Sequence, residues 1–465
     1  MKRSAGTAII AGMIFPLHES LKGHDTVARS RALEQSQWWT PSAIAEHQVG
    51  RLRSFLSEIG ARVPFYRRLF AELQFDPMQV TAVSDLAALP LLTKTIIRSN
   101  LTELTSDAAI GLKRFNTGGS SGEPLIFFVG SKRRSHDIAA KWRATRWWDV
   151  DIGDREVVLW GSPVELSAQD WLRKARDGLL RTHLISAFEM SPTLLDSFVA
   201  RIRALRPRML FGYPSALAHV ARHAQAKGQR MDDLGIRVAF VTSERLYDDQ
   251  RTTISRVFGC PVANGYGSRD AGFIAHECPS GGMHISAEDI VIEIVDGAGR
   301  RLPPGQQGEI VVTHLATADF PFVRYRTGDV ASLDPSPCRC GRGLPLLADI
   351  QGRSTDFVTA ADGTVMHGLS LIYSVRDVPG IEQFRIVQHD LLHTEVELVT
   401  NESFAVEAER RIVDGFKARL GHAVDVRVTH VPVIARERSG KYRYVVSHVT
   451  AGVARAPEAS EAAGP

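Results

Sequence analysis

The sequence predicts an α/β protein: a large N-terminal domain built on parallel sheets with an added β layer, then a small, mobile α+β C-terminal lid domain. Three observations predict it. Between Val157 and Asn264 short apolar runs alternate with amphipathic helices, the pattern of parallel strands joined by crossover helices. Asp289–Val295 and Gly308–His314 alternate at period two, as antiparallel strands do. Beyond Gly352 the order becomes β-β-α-β. The expected division is 1–351, 352–453 and a disordered Ala/Glu/Gly/Pro tail at 454–465.

Residues up to about Asn100 read as amphipathic helices, with Trp38, Trp39, Leu52, Phe55, Leu56, Ile59, Phe65 and Tyr66 expected inside. Gly130 to Asp149 reads as a helix rich in Arg and Trp, whose Trp142, Trp147 and Trp148 are assigned to packing rather than to a pocket. The alternating region gives strands at 157–160, 208–211, 238–241 and 261–264, and helices at 192–205, 214–228 and 248–258. Ligands of such sheets sit beyond the carboxyl ends of the strands, which singles out Gly212 and Tyr213, Ser243 and Glu244, and Tyr266 to Asp270. Phe322 to Asp329, FVRYRTGD, is expected to close the β layer in a turn. The lid is expected from strands at 381–388, 394–399 and 424–430 with a helix at 404–420.

Composition narrows the function. A length of 465 residues exceeds one compact core, and 44% hydrophobic with 23% charged residues is ordinary for a globular protein. A net charge of +4, with Arg scattered among acids, makes no case for nucleic acid. The opening MKRSAGTAIIAGMIFPLHES has a signal-peptide look, but its apolar run is brief and no small-residue cleavage site follows. No window approaches a membrane span, so a cytoplasmic enzyme without membrane contact is expected.

The chemistry gathers at Phe115 to Phe128, FNTGGSSGEPLIFF. Gly118, Gly119 and Gly122 leave the backbone open to curl its N–H groups around an anion, and Thr117, Ser120 and Ser121 add hydroxyl donors. No Gly-Lys-Ser/Thr ending follows, so this is not the Walker loop.

Taken in order, several segments together resemble the adenylate-forming superfamily of acyl- and aryl-CoA ligases, most of all phenylacetate-CoA ligase and its capsule-biosynthesis relatives. The segments are Thr117 to Pro124, Tyr266-Gly267-Ser268-Arg269-Asp270, Tyr325-Arg326-Thr327-Gly328-Asp329, the hinge pair Gly352-Arg353, and Ser439-Gly440-Lys441. The resemblance spans about Phe15 to Val453. It implies ATP-dependent activation of a small-molecule carboxylic acid, aromatic or arylacetic, then transfer to coenzyme A. Transfer to an amine or hydroxyl acceptor is the alternative, and a non-catalytic nucleotide-binding relative a further one.

Attack of a carboxylate on the α-phosphate brings two anions together, so cations and donors are needed where charge builds. The resemblance implies that Thr117, Ser120 and Ser121 hold the leaving pyrophosphate and that Asp270 binds Mg2+, where the family has the longer Glu. Asp329 and Arg353 would meet the ribose, and Ser243, Glu244 and Tyr266 would border the adenine. Lys441 would bridge carboxylate and phosphate. Alone, Asp329 in a Thr-Gly-Asp turn reads as a turn cap and Lys441 as a solvated charge. Thr355 stands where the family carries the acidic pivot of the lid, which bears on the second half-reaction.

Cys278-x5-His284 and Cys338-x-Cys340 make a Cys3His set suited to a tetrahedral structural Zn2+, and similar positions occur in phenylacetate-CoA ligase relatives. His276 competes as a ligand, and the other reading is three free thiols in a reducing compartment. Cys260 reads as a small core residue.

Overall fold

The computed structural model describes residues 4–116, 125–160, 176–187, 189–351, 357–376, 378–434 and 444–449. The predicted phosphate loop Thr117 to Gly122, the hinge residues Arg353 and Thr355, Lys441 and the tail 454–465 lie outside the described residues.

The N-terminal third is helical, as the apolar spacing requires. Its longest helix, Pro41–Arg62, starts at an N-cap, where Thr40 Oγ1 accepts a hydrogen bond from the Ala43 amide at 3.2 Å, and a proline follows in the first turn. Leu52, Phe55, Leu56 and Ile59 recur on its buried face. Trp38 and Trp39 depart from expectation, being 55% and 40% exposed. Trp38 offers its ring face to the Arg342 guanidinium at 4.7 Å, and Trp39 meets His47 edge-on, so both indoles pack on polar groups at the rim. Trp147 and Trp148 pack on the core and anchor their N–H groups on Gln37 and Glu277.

A hairpin, β1 (Lys113–Asn116) and β2 (Ile126–Val129), leads into the helix Ser131–Arg146. Then follow β3 (Glu156–Trp160), β4 (Thr182–Ser186), a short β5 (Glu189–Met190), β6 (Met209–Gly212), β7 (Val238–Thr242) and β8 (Val262–Ser268). The helices Pro192–Leu205, Pro214–Ala226 and Asp248–Phe258 lie between them. β9 (Gly272–Glu277), β10 (Met283–Ile285), β11 (Ile290–Val295), β12 (Gly308–His314), β13 (Tyr325–Asp334) and β14 (Leu346–Gln351) complete this part. The last strands are β15 (Phe357–Thr359), β16 (Val365–His367), β17 (Ile381–Gln388), β18 (His393–Thr400), β19 (Asp425–His430) and β20 (Val445–Ser447).

Eleven of the described strands form one sheet, in the order β11-β12-β13-β14-β10-β9-β8-β7-β6-β3-β4. From β4 to β8 neighbours are parallel, and from β8 to β11 they are antiparallel. The added β layer is thus continuous with the parallel part, joined to it by the β8–β9 hairpin. Val238–Thr242 is buried throughout, as a parallel strand covered by helices on both faces should be. FVRYRTGD is corrected: Tyr325 to Asp329 opens the ten-residue β13 rather than making a turn. Its pairing slips in register at Glu309/Val311 and again at Val330/Ser332, so the segment is bulged strand.

The expected C-terminal β-β-α-β order is present and gains a strand: β20 runs parallel to β17, giving a four-stranded sheet backed by the helix Val406–Leu420. Its core of Phe384, Ile386, Val396, Ile412 and Phe416 is separate from those of the large sheet. It is tied to the larger part by backbone, because β16 pairs with β5 in a three-stranded sheet. Among the described residues no helix is long and apolar enough to cross a membrane.

At the tip of β6, a Cβ on Gly212 would lie 2.2 Å from the Leu159 carbonyl oxygen on neighbouring β3. Gly212→Ala is expected to destabilise the fold by on the order of 2 kcal/mol through overpacking against backbone that cannot yield. The urea unfolding midpoint measures it.

Candidate active site and metal-ligand cluster

The carboxyl ends of β3, β6, β7 and β8 point the same way, and the residues singled out there come together. Tyr213, past β6, stacks on Trp160 at the end of β3, with centroids 4.5 Å apart and planes 22° from parallel. Past β7, Ser243 holds φ +71°, a left-handed backbone that a non-glycine residue rarely keeps. Glu244 beside it accepts a hydrogen bond from the Ser215 hydroxyl. Tyr266 on β8 donates its phenol to Asp329 Oδ2 on β13 at 3.0 Å, which joins two of the motifs across the sheet. Asp329 is positioned in turn by its bulge. Its amide donates to Thr327 Oγ1 at 3.1 Å, Thr327 donates to the Ile310 carbonyl at 2.8 Å, and Glu309 takes the Gly328 amide and the Arg326 guanidinium.

Asp270 sits in the β8–β9 turn. Gly267 permits that turn, because a Cβ there would lie 2.3 Å from the Gly272 carbonyl oxygen. The Asp270 carboxylate is buried and accepts from three donors: Tyr325 Oη at 2.5 Å on Oδ2, and the Ser268 hydroxyl and Ala271 amide on Oδ1. The Arg269 guanidinium reaches the carbonyl of Asn116, the last residue of β1, so the turn stands beside the start of the glycine/hydroxyl segment. Thr117 to Gly122, Arg353 and Lys441 are not among the described residues, and the geometry bears on the remaining positions alone.

Sequence reasoning missed the groups that hold these side chains. Arg133, buried on the helix Ser131–Arg146, donates to the carbonyls of Asp270 at 3.1 Å and Arg269 at 3.2 Å while its Nε pairs with Asp137 at 2.9 Å. Burial alone would raise the Asp137 carboxyl, but Arg133, His136 and His314 overcome it and hold it well below the usual carboxylate range. Nothing in SKRRSHD marks one arginine as buried; the signal is the Arg–Asp spacing of four residues, one helical turn.

Among the described residues two clusters bring metal-ligand atoms within 4.8 Å of one another. In the first, Cys278 and Cys338 sulfurs stand 3.6 Å apart and His284 Nε2 is 3.1 Å from Cys340 Sγ. Tetrahedral thiolates on one Zn2+ would lie about 3.8 Å apart, so the Cys278–Cys338 pair is already near that spacing. His284 Nδ1 faces the Leu344 carbonyl at 3.3 Å, which places its proton there and leaves Nε2 as the ligand atom. Burial pushes the Cys278 thiol up to about 12, so it ionises only beside a cation. His276, the competing ligand, is not in this set. Cys260 is buried, and burial likewise pushes its thiol up to about 12, in keeping with a core residue.

The second cluster is His136, Asp137 and His314. Here the Ala316 amide donates to His314 Nδ1 at 3.3 Å, so the proton sits on Nε2 and points toward Asp137 Oδ1, 3.9 Å away. A protonated Nε2 is no metal ligand, and Asp137 Oδ2 is committed to Arg133. Through the Arg133–Asp137 pair the cluster supports the β8–β9 turn, while His136 Nε2 and His314 Nε2 are buried without a hydrogen-bond partner among the described residues.

Known proteins match this chain over most of its length. Residues 180–318 match the family model described as AMP-binding enzyme, and residues 358–448 match the CapK C-terminal domain. Protein CapK of Staphylococcus aureus is 23% identical over 416 residues, covering 87% of this chain and 89% of its own. The phenylacetate-coenzyme A ligase of Pseudomonas putida is 27% identical over 389 residues, covering 80% and 86%. The solved structure of a 2-hydroxyisobutyryl-CoA ligase, in complex with 2-HIB-AMP and CoA, aligns with a TM-score of 0.62 at 21% identity over 89% of this chain and 91% of that one. At that identity the likeness speaks for the fold. These matches support the adenylate-forming superfamily. The likeness is to CapK and to phenylacetate-CoA ligases, and it supports the acid-CoA ligase family.

His314 carries a pH prediction. Burial, with the Arg133 charge beside it, pushes its pKa from 6.5 down to about 3. Below about pH 6.5 the unfolded chain binds a proton that the folded chain refuses, so stability present above that pH is lost as the pH falls toward about 3. His314→Asn, which keeps an acceptor for the Ala316 amide, should reduce the loss of unfolding free energy between about pH 7.5 and about pH 5.5 by about 1.4 kcal/mol. Urea titrations at the two pH values measure it.

Proposed function

We propose that this protein activates a small carboxylic acid with ATP, forming an acyl-adenylate and releasing pyrophosphate, and then passes the acyl group to coenzyme A. The observation that carries this reading is the Tyr266–Asp329 hydrogen bond, which sets two motifs of the superfamily side by side at the carboxyl edge of the parallel strands. In this reading the Asp329 carboxylate accepts the ribose hydroxyls, with Arg353 assisting, and the Tyr266 ring borders the adenine. Ser243, in its left-handed turn, and Glu244 would line the same edge beside the adenine. Thr117, Gly118, Gly119, Ser120, Ser121 and Gly122 hold the phosphates, and Lys441 neutralises the approaching carboxylate and α-phosphate. Gly267 and Ser268 shape the turn that carries Asp270.

Asp270 suits Mg2+ held through a water. Its side chain is a methylene shorter than the family's Glu, and its oxygens already accept from Tyr325, Ser268 and Ala271. Bound there, Mg2+ would supply positive charge to the phosphates. The flat Trp160–Tyr213 stack beside the site favours an aromatic or arylacetic acid. The segment 352–453 would act as the lid, with 1–351 as the body and 454–465 as a tail. Cys278, His284, Cys338 and Cys340 would hold a structural Zn2+, supported by ligand atoms that lie within 4.8 Å of one another.

A second reading keeps the adenylation but delivers to an amine or hydroxyl. It is favoured by Thr355 at the lid's pivot position and by the match of 358–448 to the CapK C-terminal domain. Product mass with coenzyme A present separates the two: a thioester supports the first, and its absence with adenylate formed supports the second.

Exchange of labelled pyrophosphate into ATP, stimulated by one acid from a panel of aryl and alkyl carboxylates, is the expected result; no stimulation by any acid would overturn the reading. Lys441→Ala should slow exchange by about 100-fold or more, and Asp329→Ala should raise the KM for ATP by about tenfold. Protein purified without chelator should contain one zinc per chain by elemental analysis, and Cys338→Ser should lower both that content and the thermal midpoint.

A further inference from the structure

The first helix turns its apolar residues outward. From Ala5 to Leu21 the chain is one continuous helix, Ala5–Ile9 and Phe15–Leu21 joined by a π-helical Ile10–Ile14. Its inner edge packs Ile10 and Phe15 on Ile152, with Ile138, Trp142 and Leu180 around them. Its outer edge presents Ile9, Met13, Leu17 and Leu21, which are 52%, 69%, 63% and 80% exposed. The smaller Ala8 and Gly12 lie among them, also exposed, and no charged residue stands on this edge between Ser4 and Leu21. Residues four apart drift around an α-helix; the wider π turn brings them back toward one line, so the four form a straight stripe about 18 Å long. A surface helix of a globular protein normally shows solvent its charged face.

The flanks of the stripe are cationic. The Arg181 guanidinium packs against Gly6 at one end. At the other end exposed Lys22 lies 3.7 Å from Glu19, with the charges of Arg176, Lys113 and Arg134 around it. The acids in these segments are already engaged: buried Glu19 with Thr26, His24 and Lys22, and Asp177 with Arg176.

We propose that this helix lies flat on an anionic phospholipid surface, inserting Ile9, Met13, Leu17 and Leu21 between the lipids while the surrounding Lys and Arg meet the headgroups. The sequence-based expectation of no membrane contact rested on the absence of a spanning segment, which a helix lying in the interface does not need. Charge selects the occupant. In a two-fold pairing with a second copy, the basic flanks would meet their own kind and repel, whereas an anionic surface complements them.

Co-sedimentation of the full chain with phosphatidylglycerol-containing vesicles tests this, with pure phosphatidylcholine vesicles as the control. Binding to the anionic vesicles is expected, weakened by salt and by at least about tenfold in the double variant M13E/L17E. Both positions are exposed, so an unchanged thermal midpoint accompanies that loss. Failure of the wild type to sediment, equal sedimentation of the variant, or a wild-type dimer in light scattering that the variant splits would each overturn the proposal, the last by giving the face to a second copy.

Discussion

The turn between β8 and β9 is the constraint on which the rest depends. There a parallel sheet becomes antiparallel without interruption, and the chain can reverse so tightly because Gly267 has no side chain to strike the Gly272 carbonyl. The same turn carries Asp270, so the geometry that joins the two halves of the sheet also sets a motif carboxylate. Arg133 fixes it from beneath through two backbone carbonyls, with Asp137 and the neutral His314 behind it. Since the helix of Arg133 follows directly from the β1–β2 hairpin, one rigid element connects the flanks of the glycine/hydroxyl segment to the turn.

A second consequence follows from the bulges in β13. Straight pairing would alternate Thr327, Gly328 and Asp329 strictly across the sheet. The slip at Glu309 lets Thr327 bond backward to Ile310 while Asp329 meets Tyr266. Irregular backbone thus delivers a side chain to the edge where nucleotide is proposed to lie, a common use of bulges near sites. The C-terminal sheet has its own core yet is stitched by β16 to β5, so any reorientation of it would have to break or carry that pairing.

Much of this was legible from residues alone. The crossover region from Val157 to Asn264 is legible because period and punctuation agree there: proline opens the helices at 192 and 214, and glycine ends the one at 258. The Cys3His set was visible as types and spacing, although a fold was needed to bring Cys338 to Cys278. The short strands β9, β10 and β14 were not, since their residues carry no clean alternation. Thr-Gly-Asp looked like a turn because turn residues also make bulges. Trp38 and Trp39 were placed inside on hydrophobicity, whereas Arg342 holds one of them at the rim by its π face. Arg133 is hidden in a run of charge, where only its spacing of four residues from Asp137 sets it apart from its neighbours.

The central claim is that a nucleotide lies across the carboxyl edge of the parallel strands, held between Asp329 on one side and the β7–β8 tips on the other. A crystal structure with a non-hydrolysable acyl-adenylate analogue tests it most directly. The account predicts the ribose hydroxyls on the Asp329 carboxylate, with the adenine beside Ser243, Glu244 and Tyr266. A nucleoside bound elsewhere, or with its ribose turned away from Asp329, would contradict it.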